Sequence, residues 1–370
     1  MKRELLLPLL MLAAACSGEE AFPPPARLAI PAEAVLASLG ELNDTAEVQV
    51  LASVGVAALS ETGRFLAVGE RAVPPFVRVL DRETGRAWSF GPRGRGPGEL
   101  TSAYSLEFLG DSVLLVLNHH RLERFRVTGQ WLGGHRLSDT GLLVSAITVG
   151  CGGRVFAYGA PAGRDTRSRD SVPWVHELEL DPSVSSTDRL WIPGPAGQSW
   201  GALFGFDGSA DGLLLWHKFR KPEVGYWIPC DGREPTVWSH TVSRAEVEAI
   251  SLVGDDRAGM VLRLPDTLFS GAAVRGSAKI RAVCWDWNKP GARVTSFQVV
   301  DSVGCREVEF FGNWTLHDAH AHGLVLATRL PFPMVRLIDW NWFEKMLTPA
   351  HCPPLPGRTG RRDPRAPSWW

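Results

Sequence analysis

The chain has 370 residues, of which 45% are hydrophobic and 21% charged. That balance supports a large core and excludes a disordered or collagen-like chain. A formal net charge of -1 argues against a dedicated nucleic-acid binder, which would present a strongly basic face.

The first residues, MKRELLLPLLMLAAACSGEE, place Lys2 and Arg3 before an apolar run from Leu5 to Ala15. The run reads as a removable export signal, too short to span a bilayer comfortably. Leu12-Ala13-Ala14-Ala15-Cys16 resembles the lipobox of bacterial lipoproteins, with Ala13 where that family more often has Leu. The resemblance implies loss of residues 1–15 and lipidation of Cys16. Ser17, in place of an aspartate, implies the outer membrane, facing periplasm or cell surface. A multiply acylated cysteine would anchor the chain stably in the membrane. An ordinary secretory signal with a chance cysteine is the competing reading. Residues 16–45, rich in Ala and Pro, are expected to form a tether.

The middle of the chain is periodic. RFLAVGERAVPPFVRVLDRETGRAWSFG from Arg64 can be laid over SVLLVLNHHRLERFRVTGQWLGG from Ser112. Each window has an apolar strand, a polar break, an alternating strand, a glycine turn and a last strand holding a tryptophan. The turn glycines, Gly85 and Gly129, are 44 residues apart, in the range of propeller blades. Looser copies begin at Gly153, Gly212, Ala258 and His322, and the last lacks its final strand. AEVQVLASV, Ala46 to Val54, is expected to supply it and close the ring, removing exposed edges.

The expected fold is therefore all-β: a six-bladed β-propeller of four-stranded antiparallel blades over residues 46–343, closed by an N-terminal strand. A large β-sandwich also gives many short strands, but has no reason to repeat at a blade period. SRAEVEAISLVG from Ser243 reads as a short helical insertion before blade five. Residues 344–370 read as a Pro- and Arg-rich tail. Most tryptophans, including Trp88, Trp131, Trp227, Trp340 and Trp342, fall in expected third or outer strands, where they would wedge between blades.

FGPRGRGPGEL, Phe90 to Leu100, resembles the glycine-rich blade junction of six-bladed NHL-like propellers, including bacterial lipoproteins of that fold. Gly94, Gly96, Pro97, Gly98, Glu99 and Leu100 match the family pattern, whereas later junctions match poorly. A P-loop is excluded because Pro97 and Gly98 stand where Lys and Ser/Thr are needed, and a strand follows instead of a helix.

Chemical candidates fall into two groups. Propeller topology should bring to one loop face Arg93, Arg95, His119, His120, Arg121, Lys218, Arg220, Lys221 and Arg329, a set suited to an acidic partner. WTLHDAHAHG holds His317, Asp318, His320 and His322. On an extended strand Asp318, His320 and His322 share one face, as a metal site would need. Of the cysteines, Cys151, Cys230, Cys284, Cys305 and Cys352 lack metal or redox spacing, and Cys284 with Cys305 is the expected disulfide.

No nucleophile elbow or other catalytic signature is present. The expected function is a monomeric, membrane-anchored module that binds an envelope protein or glycan, with no cofactor and no nucleic acid. The alternative is a metal-assisted hydrolase, lactonase or lyase working in the central channel with a divalent metal.

Overall fold

The computed structural model describes residues 27–40, 51–71, 73–119, 121–137, 141–161, 175–180, 185–190, 204–217, 223–233, 235–240, 251–255, 259–263, 268–285, 294–328 and 333–350. Two strands precede the blades, β1 (Arg27–Leu28) and β2 (Val35–Leu39). Blade one is β3 (Val56–Leu59), β4 (Phe65–Gly69), β5 (Val77–Asp81) and β6 (Ala87–Phe90). Blade two is β7 (Ser105–Leu109), β8 (Val113–Asn118), β9 (Arg121–Arg126) and β10 (Trp131–Arg136). Blade three is β11 (Leu142–Gly150), β12 (Arg154–Pro161), β13 (Val175–Glu179) and β14 (Ser185–Leu190).

Blade four is β15 (Phe204–Gly208), β16 (Gly212–His217), β17 (Glu223–Pro229) and β18 (Thr236–His240). A separate hairpin, β19 (Ser251–Asp255) and β20 (Gly259–Arg263), follows it. Blade five is β21 (Leu268–Arg275), β22 (Ala278–Trp285), β23 (Val294–Val300) and β24 (Cys305–Phe311). Blade six is β25 (Thr315–His320), β26 (Gly323–Thr328) and β27 (Met334–Asp339), completed by β2. Helix α1 (Trp340–Met346) and β28 (Thr348–Pro349) end the described chain. No helix among the described residues is long and apolar enough to cross a membrane.

The repeat makes a ring because each blade is apolar on both faces. In blade one, β4 and β5 are buried throughout, while β6 is half-exposed at the rim. Such strands need a neighbour on either side, and six blades give every one of them two. Between blades one and two, Phe65, Phe76 and Val79 pack on Leu106, Phe108 and Phe125. Between blades six and one, Val325 and Leu337 pack on Leu59, Leu66 and Val68. Each innermost strand contacts the next, and the circle closes where β25 meets β3.

Closure comes from an N-terminal strand, but from an earlier one than the periodicity suggests. Val35–Leu39 pairs with β27, Leu39 lying opposite Val335. Residues 51–54, from the segment expected to close the ring, form no strand, and its residues 46–50 lie outside the described residues. An outermost strand buries little, and Leu39 is the one fully buried residue of β2, so a strong apolar alternation was not required there. Just upstream, β1 pairs in parallel with β24, and β28 pairs with the same edge further along. The outer edge of blade five is thus covered from both ends of the chain.

Three further expectations change. The fifth unit begins at β21, because the strand read as its start is β20 of the inserted hairpin. Ser251–Gly254, read as the end of a helix, runs in β19, and residues 243–250 lie outside the described residues. Trp340 and Trp342 sit on α1 rather than on a strand; Asp339 caps it by accepting the Trp342 N–H at 2.7 Å, and Trp340 and Phe343 are buried against blades five and six.

Cys284 does not pair with Cys305. The registers set Cys284 level with Thr295 and Phe310, at the other end of the sheet from Cys305, and a whole strand intervenes. That separation exceeds what a disulfide spans. Instead Cys151, in the β11–β12 turn, joins Cys230, in the β17–β18 turn, with Cα atoms 5.3 Å apart, stapling blade three to blade four. Cys305 is also disulfide-bonded.

Candidate functional site

The glycine-rich junction folds into a closed turn. Gly91 has φ +78°, and a Cβ there would lie 2.5 Å from Leu100 Cδ1, so both backbone sign and space require glycine. Leu100 N–H donates to Pro92 O at 2.8 Å, Gly94 N–H to Leu100 O at 2.9 Å and Glu99 N–H to Gly96 O at 3.1 Å. The Gly96 N–H is taken by Glu99 Oε2 at 2.7 Å. These amides are spent inside the loop, and Pro92 and Pro97 have none to offer. None of these amides is left to cradle a phosphate.

The same loop is tied to the β8–β9 turn. Arg121 Nη1 donates to Arg95 O at 2.7 Å, and Asn118 Oδ1 accepts from Thr101 N at 3.1 Å and Thr101 Oγ1 at 2.8 Å. Tyr104, which follows the loop, has its ring 4.9 Å from that of His119. Trp131 backs the loop: a Cβ at Gly98 would lie 3.3 Å from Trp131 Cβ. Arg93 lies with its guanidinium 5.5 Å from the Phe76 ring centre.

Charge at this corner is sorted by depth. Glu70 is fully buried, taking Arg78 Nε at 2.7 Å and the N–H groups of Ala52 and Ser53 at 2.8 and 3.0 Å. Glu123, also fully buried, accepts Trp131 Nε1 at 2.9 Å and forms an ion pair with Arg121 at 2.6 Å, whose angles fall short of a hydrogen bond. Arg71, Arg93 and Arg95 are exposed. Glu70 and Glu123 face inward, the half-buried Glu99 is engaged by the Gly96 N–H, and Arg71, Arg93 and Arg95 face outward, which leaves exposed cations at this corner.

Arg93, Arg95, His119 and Arg121 therefore share one corner of the loop face, formed by blades one and two. His120, Lys218, Arg220, Lys221 and Arg329 lie outside the described residues, as does Cys16.

The histidine-rich strand is arranged differently. A β-bulge at His317 interrupts the pairing of β25 with β26. His320 ends the strand, while His322 lies exposed in the turn beyond, its ring stacked on that of His320 at 5.4 Å. Asp318 Oδ2 accepts the Leu59 N–H at 2.8 Å. Among the described residues no three His, Cys, Asp or Glu side chains converge as ligands of one ion.

What the channel does hold is a set of carboxylates from alternate blades: Glu107 on β7, Asp207 on β15 and Asp318 on β25. Burial pushes all three above the ordinary carboxylate range, with mutual repulsion adding to the rise for Glu107 and Asp207. Asp207 is held by the N–H groups of Val274 and Gly208 at 2.7 and 2.9 Å. Glu107 and Asp318 keep some solvent contact, yet protein surrounds them on the longer scale that governs hydration of a charge. Burial also lowers the His320 pKa, against the pull of Asp318. Glu107 and Asp207 escaped the sequence reading, although a lone acid inside an apolar strand, as in SLEFL and FGFDG, is a visible signal.

No protein-family model and no curated protein matches the sequence. In three dimensions, 80% of the chain matches 93% of a DUF4221-family member from Bacteroides vulgatus, with TM-score 0.51 and 11% identity. The shared property is the fold. A candidate exported protein of Bacteroides fragilis is similar over 84% of this chain and 90% of its own, with TM-score 0.48 and 12% identity. The WD40 domain of Neurospora crassa Pan2 is similar over 82% and 94%, with TM-score 0.46 and 8% identity.

Proposed function

We propose that the protein is a non-enzymatic binding module of the bacterial cell envelope, lipid-anchored through Cys16 in the outer membrane and engaging a protein or glycan through its loop face. The observation that carries the binding role is the sorted charge at the blade-one and blade-two corner, where buried acids leave exposed arginines around an aromatic pair. The Cys151–Cys230 disulfide accords with an oxidising compartment outside the cytoplasm. Anchoring rests on the lipobox-like leader. Expressed in a bacterial host with labelled fatty acid, the wild type should carry label and fractionate with membranes. A Cys16→Ala variant should lose both, and its retention of label would sink the anchoring claim.

A metal-assisted hydrolase, lactonase or lyase in the channel is the second reading, favoured by the placement of Asp318 and His320 on one innermost strand with the His322 ring stacked on that of His320. Elemental analysis separates the two: stoichiometric divalent metal in purified protein would favour the channel.

A further inference from the structure

We infer that the blade-one and blade-two corner binds an acidic polysaccharide, with Tyr104 as the platform for a sugar ring and Arg95 as the partner of its carboxylate. The inference rests on the loop-face reading above and names its ligand.

Two requirements of such a ligand meet here. A uronate-type sugar presents a flat C–H face that packs on an aromatic ring, and a planar carboxylate that a guanidinium takes through two parallel hydrogen bonds. Tyr104 and Trp131 are 41% and 39% exposed, whereas Phe76 and Phe125 nearby are buried. Both exposed rings adjoin the turn that carries Arg121: the Tyr104 ring lies 4.9 Å from that of His119, and Trp131 Nε1 donates to Glu123, the ion-pair partner of Arg121. Arg121 in turn holds the Arg95 carbonyl. The aromatic platform and the backbone that carries the cation are therefore pre-positioned, which lowers the ordering cost of binding.

The corner suits a glycan better than a protein. A stable protein interface has a continuous apolar core of several hundred Å² within about 800 Å² per partner. Here Leu100, Leu106 and Phe108 are turned inward, and the exposed apolar side chains of the two blades, Val73, Tyr104, Trp131 and Leu132, come from three separate segments among arginine, glycine and proline. A chain of repeated anionic sugars needs no apolar core. It needs exposed cations, and Arg93 and Arg95 supply them, while Glu70 and Glu123 are engaged inward with Arg78 and Arg121.

The test uses the full-length protein in detergent and three probes: polygalacturonate, its methyl ester, which keeps the sugar and loses the charge, and polyglutamate, which keeps the charge and lacks the sugar. Polygalacturonate should bind, with affinity at least tenfold above either control. Tyr104→Ala and Arg95→Glu should each weaken it about tenfold or more while leaving the melting temperature unchanged, because both side chains are exposed. Arg95→Lys should recover only part of the loss. If polyglutamate binds as well and Tyr104→Ala is silent, the corner is a general anion surface, and the glycan inference falls while the loop-face reading stands. If polygalacturonate does not bind, the inference also falls. If it binds with equal affinity to wild type and Arg95→Glu, the loop-face reading itself fails.

Discussion

The Asp318 carboxylate accepts the Leu59 N–H at 2.8 Å and so joins the innermost strand of the last blade to that of the first. Asp207 does the same for blades four and five through Val274. Ser105 links blades two and three, its Oγ donating to Ile147 O at 3.1 Å and accepting Ile147 N–H at 3.2 Å. Every second interface around the channel is thus clasped by a polar side chain on a neighbour's backbone.

Removing one clasp should weaken the ring at that seam. Asp318→Ala leaves the Leu59 N–H without its acceptor, a loss of about 1–3 kcal/mol. Asp318→Asn keeps an acceptor oxygen and sheds a buried charge, so it should cost less. Thermal unfolding decides: equal melting temperatures for the two variants would show that the clasp contributes nothing.

Raised carboxylates predict an unusual pH dependence. Glu107, Asp207 and Asp318 hold protons in the folded state at pH values where the unfolded chain has released them. Their contribution to stability is therefore largest near pH 4 and falls as pH rises toward their elevated folded values. Asp81, held at about 2 by its hydrogen bond to Arg64, stays charged in mild acid and so gives up little there. Denaturant midpoints should rise on going from pH 8 to pH 5. Glu107→Gln should flatten that slope and stabilise the protein at pH 8 relative to pH 5, because it removes one of the carboxylates that burial disfavours in the charged form. A wild-type profile that is flat between pH 5 and 8 would contradict the channel assignment.

Closure by β2 makes Leu39 a core residue despite its place in a Pro- and Ala-rich segment. Leu39→Ala should cost about 2–4 kcal/mol, and deletion through Leu39 should expose the β27 edge and cause aggregation. Light scattering and melting curves test both. A deletion variant that stays monomeric and melts like wild type would refute this closure.

Peptide mapping without reduction should recover Cys151 linked to Cys230, a pair 79 residues apart in sequence. The peptide with Cys305 should be joined to that with Cys352, because the Ala350 N–H donates to Cys305 O at 3.0 Å while Cys284 is held at the other end of the sheet. Cys151→Ser with Cys230→Ser should lower stability by about 2–4 kcal/mol. Recovery of a Cys284–Cys305 peptide would overturn the blade-five register.

Much of the architecture was legible because it is local. FLAVG and VRVL announce blade-one strands by their own apolar content, and the recurrence of that order announces the blades. The junction Phe90–Leu100 was legible as a turn, since its glycines and prolines act on their own backbone. Its neighbours were only partly so: topology gathered Arg95 with His119, but nothing in one dimension shows that Glu70 and Glu123 point inward, or that Tyr104 lies against His119.

The sequence by itself determined a six-unit, all-β ring, because strand periodicity is written in consecutive residues. Only the tertiary structure decided which segment closes the ring, which cysteines meet and which acids share the channel. Those outcomes depend on which edge remains unpaired and which side chains lose water once six blades have packed, and contacts between residues such as Leu59 and Asp318 exist only after the circle has closed.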